Sequence, residues 1–216
     1  MIHNLCESHS LISNWVAELR DVNVQGDRMR FRLNLERIAE VIGFEISKTL
    51  PSKKIEITTP MANTTAWVLA DQPVLATILR AGLGMHNGLL RYFDKADNAF
   101  LSAYRKHEAD GSFDIKLEYM SSPSTTDKIV LLSDPMLATG ASLVKAAQYL
   151  NNNGIPKQLH IVCAIACNQG LNYVTKALPN AHIWCATIDE TLTDKGYIIP
   201  GLGDAGDLAY GGKMQH

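Results

Sequence analysis

The sequence predicts an α/β domain: a mostly parallel, twisted sheet with helices on both faces. Two observations carry this expectation. From residue 73 onward, strand-length apolar runs alternate with amphipathic stretches of helical period, the pattern that parallel sheets require. The runs Val74–Leu79, Ile129–Leu132 and Leu159–Ala166 are continuously apolar rather than alternating, as strands covered on both faces are. Open sheets of this kind bind ligands at the carboxyl ends of their strands, so functional residues are expected in the turns that follow strands.

In chain order, Ser10 caps a short helix ending at Arg20. A longer helix runs from about Arg28 to Leu50, with Leu35, Ile38, Ala39 and Ile42 on one face, and Pro51 ends it. Lys53–Thr58 sets Ile55 and Ile57 between polar neighbours, which predicts a half-exposed strand. After the strand Val74–Leu79 come a helix over Leu83–Phe93 and a strand over Ala99–Tyr104. Arg105–Lys128 is irregular, with Gly111, Pro123 and a Ser/Thr cluster, and reads as a lid holding a hairpin around Ile115–Met120. The strand Ile129–Leu132 leads into a helix over Ser142–Asn153, whose Leu143, Ala146, Ala147 and Leu150 face inward before Gly154 ends it. A strand over Leu159–Ala166, a helix over Leu171–Leu178 and a strand over Ile183–Ile188 follow. Thr191–His216 is glycine-rich and aperiodic, so it reads as a covering tail held down by Tyr197, Ile198, Ile199 and Leu202 rather than as a core element. The chain is thus one domain over 1–216, with an N-terminal helical segment and strand (1–60), a lid (105–128) and a covering tail (191–216).

Composition bounds the function. A chain of 216 residues, 46% hydrophobic and 19% charged, can build a full core, which excludes disorder as its dominant state. Lys+Arg is 20 against Asp+Glu 22, a formal charge of -2, so no general basic surface for nucleic acid is implied. The apolar runs fall far short of the ~20 residues that cross a bilayer, and Met1–Glu7 lacks the basic-then-apolar order of a signal peptide. Cys6, Cys163, Cys167 and Cys185 form no C-x-x-C pair and read as free thiols of a reducing cytoplasm.

The most informative segment is Ile129-Val-Leu-Leu-Ser-Asp134-Pro135-Met136-Leu137-Ala138-Thr139-Gly140-Ala141-Ser142. A buried strand ends in an acid, and a small-residue turn opens the next helix. The first amides of that helix have no internal partners, and its dipole favours an anion by roughly 0.3–1 kcal/mol. Thr139 and Ser142 add hydroxyl donors. This is a monophosphate site in physical terms, without the lysine of a Walker A loop. The plain alternative is a capped strand-to-helix turn with an acid beside it by chance. A carboxylate accepts from two hydroxyls, so Asp134 beside a phosphate turn suits a ribose 5-phosphate. Arg80, after the strand Val74–Leu79 and beside Gly82 and Gly84, carries a planar fork that suits two phosphate oxygens. Neither Gly82-x-Gly84 nor Gly201-x-Gly203-x-x-Gly206 fits a dinucleotide site. The first lacks an acid at the end of the next strand, and the second follows Pro200 rather than a strand.

The segment Asp134–Ser142 resembles the phosphoribosyl-pyrophosphate (PRPP) motif of type I phosphoribosyltransferases. With Ile78–Met85, Tyr104-Arg105 and Gly196–Asp207 it resembles, more narrowly, the uracil phosphoribosyltransferase family, over roughly residues 25–213. The resemblance implies the type I phosphoribosyltransferase fold with a small C-terminal hood. The reaction it implies is uracil + PRPP → UMP + pyrophosphate with Mg²⁺, in cytoplasmic pyrimidine salvage. It implies that Arg80 and Arg105 bind pyrophosphate and that Asp134 through Ser142 hold ribose and phosphate. Asp204 would stand between PRPP, its metal and the base. Ile198, Gly203 and Ala205 would read uracil, largely through backbone groups. Tyr197 reads equally as a wall beside the base or ribose and as an anchor for the tail. Ala141 departs from the family, which usually has a second glycine there; a positive φ at this residue would strain the turn. Members of the family form homodimers or higher assemblies, and some respond to GTP, so both are expectations, with no membrane or nucleic-acid partner. Two rivals stay open at this point: a non-catalytic nucleotide-binding regulator on the same fold, and a phosphoribosyltransferase for another base.

Overall fold

The computed structural model describes residues 1–107 and 113–212, with backbone alone for 103–107 and 113–117. The elements are β1 (Ile2–Asn4), a 3₁₀ turn (Leu5–Glu7), α1 (Leu11–Arg20), α2 (Arg28–Ser47), β2 (Ser52–Thr58), β3 (Asn63–Leu69), β4 (Val74–Leu79), α3 (Leu83–Tyr92), β5 (Asp97–His107) and β6 (Phe113–Ser121). They continue with β7 (Ile129–Ser133), β8 (Met136–Leu137), α4 (Ala141–Asn151), β9 (Gln158–Cys167), α5 (Asn168–Ala177), β10 (His182–Asp189), β11 (Thr191–Leu192), β12 (Ile198–Ile199) and α6 (Ala205–Tyr210).

The main sheet runs β1-β10-β9-β7-β4-β5-β6, with β8 pairing further along β9. Its neighbours are parallel except β5 and β6. The two faces carry separate cores, because alternate residues of each strand point opposite ways. Leu75 and Leu131 face the layer of α1, α2 and α3, with Ile12, Leu19, Leu35, Ile38 and Leu89. Val74, Ala76, Val130 and Leu132 face α4 and α5, with Leu143, Ala147, Leu150 and Val174. Ser10 does cap α1: its hydroxyl accepts from Ile12 N–H at 3.3 Å, and the Ser13 hydroxyl accepts from Ser10 N–H at 3.3 Å. That reciprocal box satisfies two otherwise orphaned donors.

Four expectations need correction. The long helix ends at Ser47 and the chain turns from there to Leu50. The strand near Lys53 is half of a hairpin, β2 paired with β3 from Ser52↔Leu69 to Thr58↔Asn63. It stands off the main sheet, and every residue of β2 is exposed. Residues 105–128 are less irregular than expected: the expected hairpin is there, with β6 antiparallel to β5 from Phe100↔Ser121 onward, but its strands reach further, over Asp97–His107 and Phe113–Ser121; Gly111 lies outside the described residues. The tail is part of the core: Ile198, Leu202, Ala205 and Ala209 are buried in the first cluster. The aperiodicity misled because the tail packs through short pieces, each below the length at which a helical period shows. The edge strand β1, pairing with β10 through Ile2↔Ile183, is too short to carry a pattern.

Candidate functional site

β4 and β7 lie side by side, paired from Val74↔Val130 to Thr77↔Ser133. From β4 the chain crosses through α3 to β5 on one side; from β7 it crosses through α4 to β9 on the other. The two departing turns diverge and leave a crevice at the switch point of the sheet. Arg80 stands in the first turn and Asp134 in the second. The strand ends are pinned together there. Ser133 hydroxyl donates to Ala76 O at 3.2 Å, and Thr77 hydroxyl donates to Ser133 O at 3.3 Å. Gly82 is required by that closeness: a Cβ would meet Thr77 Oγ1 at 2.2 Å, Ile78 O at 2.7 Å and Ser133 O at 2.8 Å.

Asp134 sits at the floor of the crevice. Its N–H continues the ladder to Val162 O at 3.0 Å, and its carboxylate accepts from Met136 N–H at 3.2 Å. Burial pushes this carboxyl up from 3.8 to about 7, the Met136 hydrogen bond opposes that, and the Asp204 charge adds to it. Burial outweighs the Met136 hydrogen bond here although one side of the group meets solvent. After Asp134 the loop is partly structural. Pro135 O accepts from the N–H groups of Ala164 and Ile165, and Leu137 is fully buried against the α4–α5 layer. The open part begins at Ala138.

There the turn has the form of the expected anion cradle. Gly140 has φ +81° and opens α4, whose first residue is Ala141. The left-handed residue is therefore Gly140, while among described non-glycine residues only Asp127 has positive φ. Alanine at 141 strains nothing. A Cβ on Gly140 would meet Val174 Cγ2 at 2.6 Å, and the Thr139 hydroxyl accepts from Ala141 N–H at 3.4 Å. The remaining first-turn amides of α4 face outward, as at any helix start. Gly170, which the sequence did not single out, lets α5 support the cradle from behind: a Cβ there would meet Ala138 O at 2.1 Å.

The tail closes the crevice from above. Asp204 caps α6, accepting from Asp207 N–H at 2.9 Å. Its Oδ1 would lie 3.2 Å from a Cβ on Gly206, and the same Cβ would lie 3.9 Å from Arg80 Nη2. Arg80, Asp134 and Asp204 are thus brought together. Gly203 (φ +95°) and Ala205 flank Asp204. Ile198 buries its side chain in the core, which leaves only its backbone to face a ligand. Tyr197 is half-exposed, and its N–H donates to the Thr193 hydroxyl at 3.1 Å. Arg105 is in β5, paired with Ile115; its side chain lies outside the described residues.

Three further residues hold the tail in place. Asp189, buried at the end of β10, accepts from Arg20 Nη2 at 2.6 Å, Arg20 Nη1 at 2.9 Å and Gly201 N–H at 2.9 Å. Arg20 Nη1 also donates to Gly201 O at 3.1 Å. Gln25 Nε2 donates to Leu202 O at 3.3 Å. Asp189 was findable, since it ends a buried strand as Asp134 does. Nothing in the sequence around Arg20 marks it. The hollow beyond the β1 edge, lined by His3, Glu45 and Trp184, shares no residue with this site.

The mostly parallel sheet, covered by helices on both faces and opening at its switch point, is the type I phosphoribosyltransferase fold. A solved hypoxanthine phosphoribosyltransferase from Staphylococcus aureus shares the fold, with TM-score 0.52 over 85% of this chain and 83% of that one at 16% identity. A family model described as "Uracil phosphoribosyltransferase" matches residues 6–212, and the chain belongs to that family. Uracil phosphoribosyltransferases of Porphyromonas gingivalis and Wolinella succinogenes are 50% and 40% identical to it. They align over 99% and 95% of this chain and 99% and 97% of their own. A protein from Aquifex aeolicus, AQ2163, superposes with TM-score 0.87 at 33% identity over 98% of both chains.

The raised Asp134 carboxyl has a measurable consequence. A carboxyl whose folded value lies above its unfolded one adds stability below pH 3.8, and that stability is lost as pH rises through about 7. Asp134→Asn removes the buried charge, so the ligand-free variant is expected to melt above the wild type at about pH 8. The gap should close by about pH 4. Thermal unfolding across that range checks it; a variant less stable than wild type at every pH contradicts the assignment.

Proposed function

We propose the following division of labour for the family's reaction, uracil + PRPP → UMP + pyrophosphate. The Asp134 carboxylate accepts from the ribose hydroxyls. The amides and hydroxyls from Thr139 to Ser142 hold the 5-phosphate. Arg80 and Arg105 neutralise the departing pyrophosphate, where negative charge develops in the transition state. Backbone groups at Ile198 and from Gly203 to Ala205 complement the carbonyls and N–H groups of uracil. The supporting observation is the convergence of Arg80, Asp134 and Asp204 on one crevice at the switch point. Nothing in this scheme needs a covalent nucleophile; positioning and charge stabilisation carry it.

Mg²⁺ enters this reading as part of the substrate complex. Among the described residues no group of three or more His, Cys, Asp or Glu side chains is arranged to hold a metal ion. Asp134 and Asp204 are acids of this site, and a cation carried by PRPP would relieve the Asp204 charge that adds to the rise burial causes in Asp134. Cytoplasmic pyrimidine salvage fits the four free cysteines, of which Cys163, Cys167 and Cys185 are buried. No helix among the described residues is long and apolar enough to cross a membrane. Activation by GTP belongs to the same reading and rests on the family resemblance.

Incubating the protein with PRPP, Mg²⁺ and one free base at a time tests the scheme. UMP should form from uracil, with no product from hypoxanthine or orotate. Arg80→Ala should lower kcat/KM for PRPP about 100-fold, the scale on which single charge-stabilising donors act. Turnover of another base in place of uracil, or a fully active Arg80→Ala, defeats it.

The β2–β3 hairpin supports the expected homo-oligomer. Two-stranded hairpins are marginal alone in water, yet this one projects Ile55 and Ile57, alternate residues on one face, opposite Ala66 and Thr64. A second copy covering that face would bury both isoleucines. Sedimentation velocity should find a dimer or larger for the wild type and a monomer for Ile55→Asp/Ile57→Asp. A monomeric wild type overturns this assembly.

A further inference from the structure

Arg80 is held by the hood as well as by its own turn. One nitrogen, Nη2, donates to Asp207 Oδ1 at 3.2 Å and to Gly211 O at 3.1 Å. Asp207 lies in the first turn of α6 and Gly211 caps its far end, so that nitrogen spans the helix. Both side chains of the Arg80–Asp207 pair are 42% exposed. A pair this open to water contributes little to stability. The hood does not depend on it for anchorage either. Arg32 Nη1 donates to Ala209 O at 2.7 Å, Ala205 and Ala209 are buried, and the Arg20–Asp189 pair grips Gly201.

What the contact does fix is orientation. A guanidinium is a rigid planar fork of five N–H donors. With both protons of Nη2 directed to the hood, the donors on Nε and Nη1 are left for an anion, and the plane they lie in is set. A carboxylate at Asp207 would repel a polyphosphate if it touched one, so its influence runs through Arg80. We propose that Asp207 is the positioning residue for Arg80. It aims that side chain at the pyrophosphate of PRPP and couples the hood, which carries the base, to the turn that carries the leaving group. The inference rests on the reading of Arg80 as a pyrophosphate ligand.

A double-mutant cycle tests it: Asp207→Ala, Arg80→Ala and the pair together, with PRPP and uracil varied separately. Asp207→Ala is expected to raise KM for PRPP about 5-fold, the upper end for an exposed charge pair. The KM for uracil and the melting temperature should stay near wild type. Asp207→Asn, which keeps the acceptor oxygen, should recover most of the loss. In the Arg80→Ala background, Asp207→Ala should add less than about 2-fold, because the partner through which it acts is gone. Multiplying effects overturn the proposal, as does an unchanged or lowered PRPP KM in Asp207→Ala. A rise in uracil KM together with a lost melting temperature also overturns it, because that marks a merely structural residue. If Arg80→Ala itself leaves PRPP kinetics intact, the pyrophosphate reading fails first and the role of Asp207 falls with it. If Arg80→Ala is impaired and Asp207→Ala is not, only the positioning role fails.

Discussion

The site depends on a close approach of two parallel strand ends that then part. Ser133 and Thr77 cross-link β7 to β4, and Gly82 leaves no atom between Thr77, Ile78 and Ser133. Beyond that knot the backbone turns away in opposite directions, and the first-turn amides of α4 after Ala141 face one side of the gap. A ligand would complete this end of the sheet, and the groups that face the gap define it. Amides and hydroxyls suit an oxyanion, a carboxylate suits sugar hydroxyls, and a guanidinium suits a second, charged phosphate group.

The hood adds what the sheet cannot. Backbone readout of a flat base needs main-chain groups held still and away from the sheet's own ladder. Short pieces of chain do not hold still alone: α6 has six residues and β12 has two. They are fixed from outside by side chains of α1 and α2. The Arg20–Asp189 pair supports this across 169 residues of chain. Because Asp189 is buried, removing Arg20 would strand its charge, which in comparable sites costs about 3–5 kcal/mol. This pair ties the first helix of the chain to the segment that covers the base.

The strands on both sides of the switch point follow from residues that could be read in advance. The apolar runs at Val74 and Ile129 had to be buried strands, and Asp134 with Thr139–Ser142 had to sit at their carboxyl end. Ser10 and Gly140 declared their turns through capping and glycine chemistry. Other features were not legible for physical reasons. β3 has no apolar alternation strong enough to announce it, because its hairpin has no core of its own to face. α6 is shorter than two helical turns. Arg20 and Asp189 are 169 residues apart, so only the folded chain reveals that they meet. Asp207 looked like one more acid in a glycine-rich tail until Arg80 was found against it. At Ala141 the family's usual second glycine is not required, because the left-handed φ belongs to Gly140.

The central claim is that the turn from Thr139 to Ser142 grips the terminal phosphate of a ribose. Backbone amide resonances of a ¹⁵N-labelled sample, followed while UMP and then uridine are added, measure this most directly. The account predicts large shifts at Gly140, Ala141 and Ser142 with UMP and little at those residues with uridine, which lacks the phosphate. Amides from Thr139 to Ser142 that stay in place while UMP binds elsewhere would contradict it.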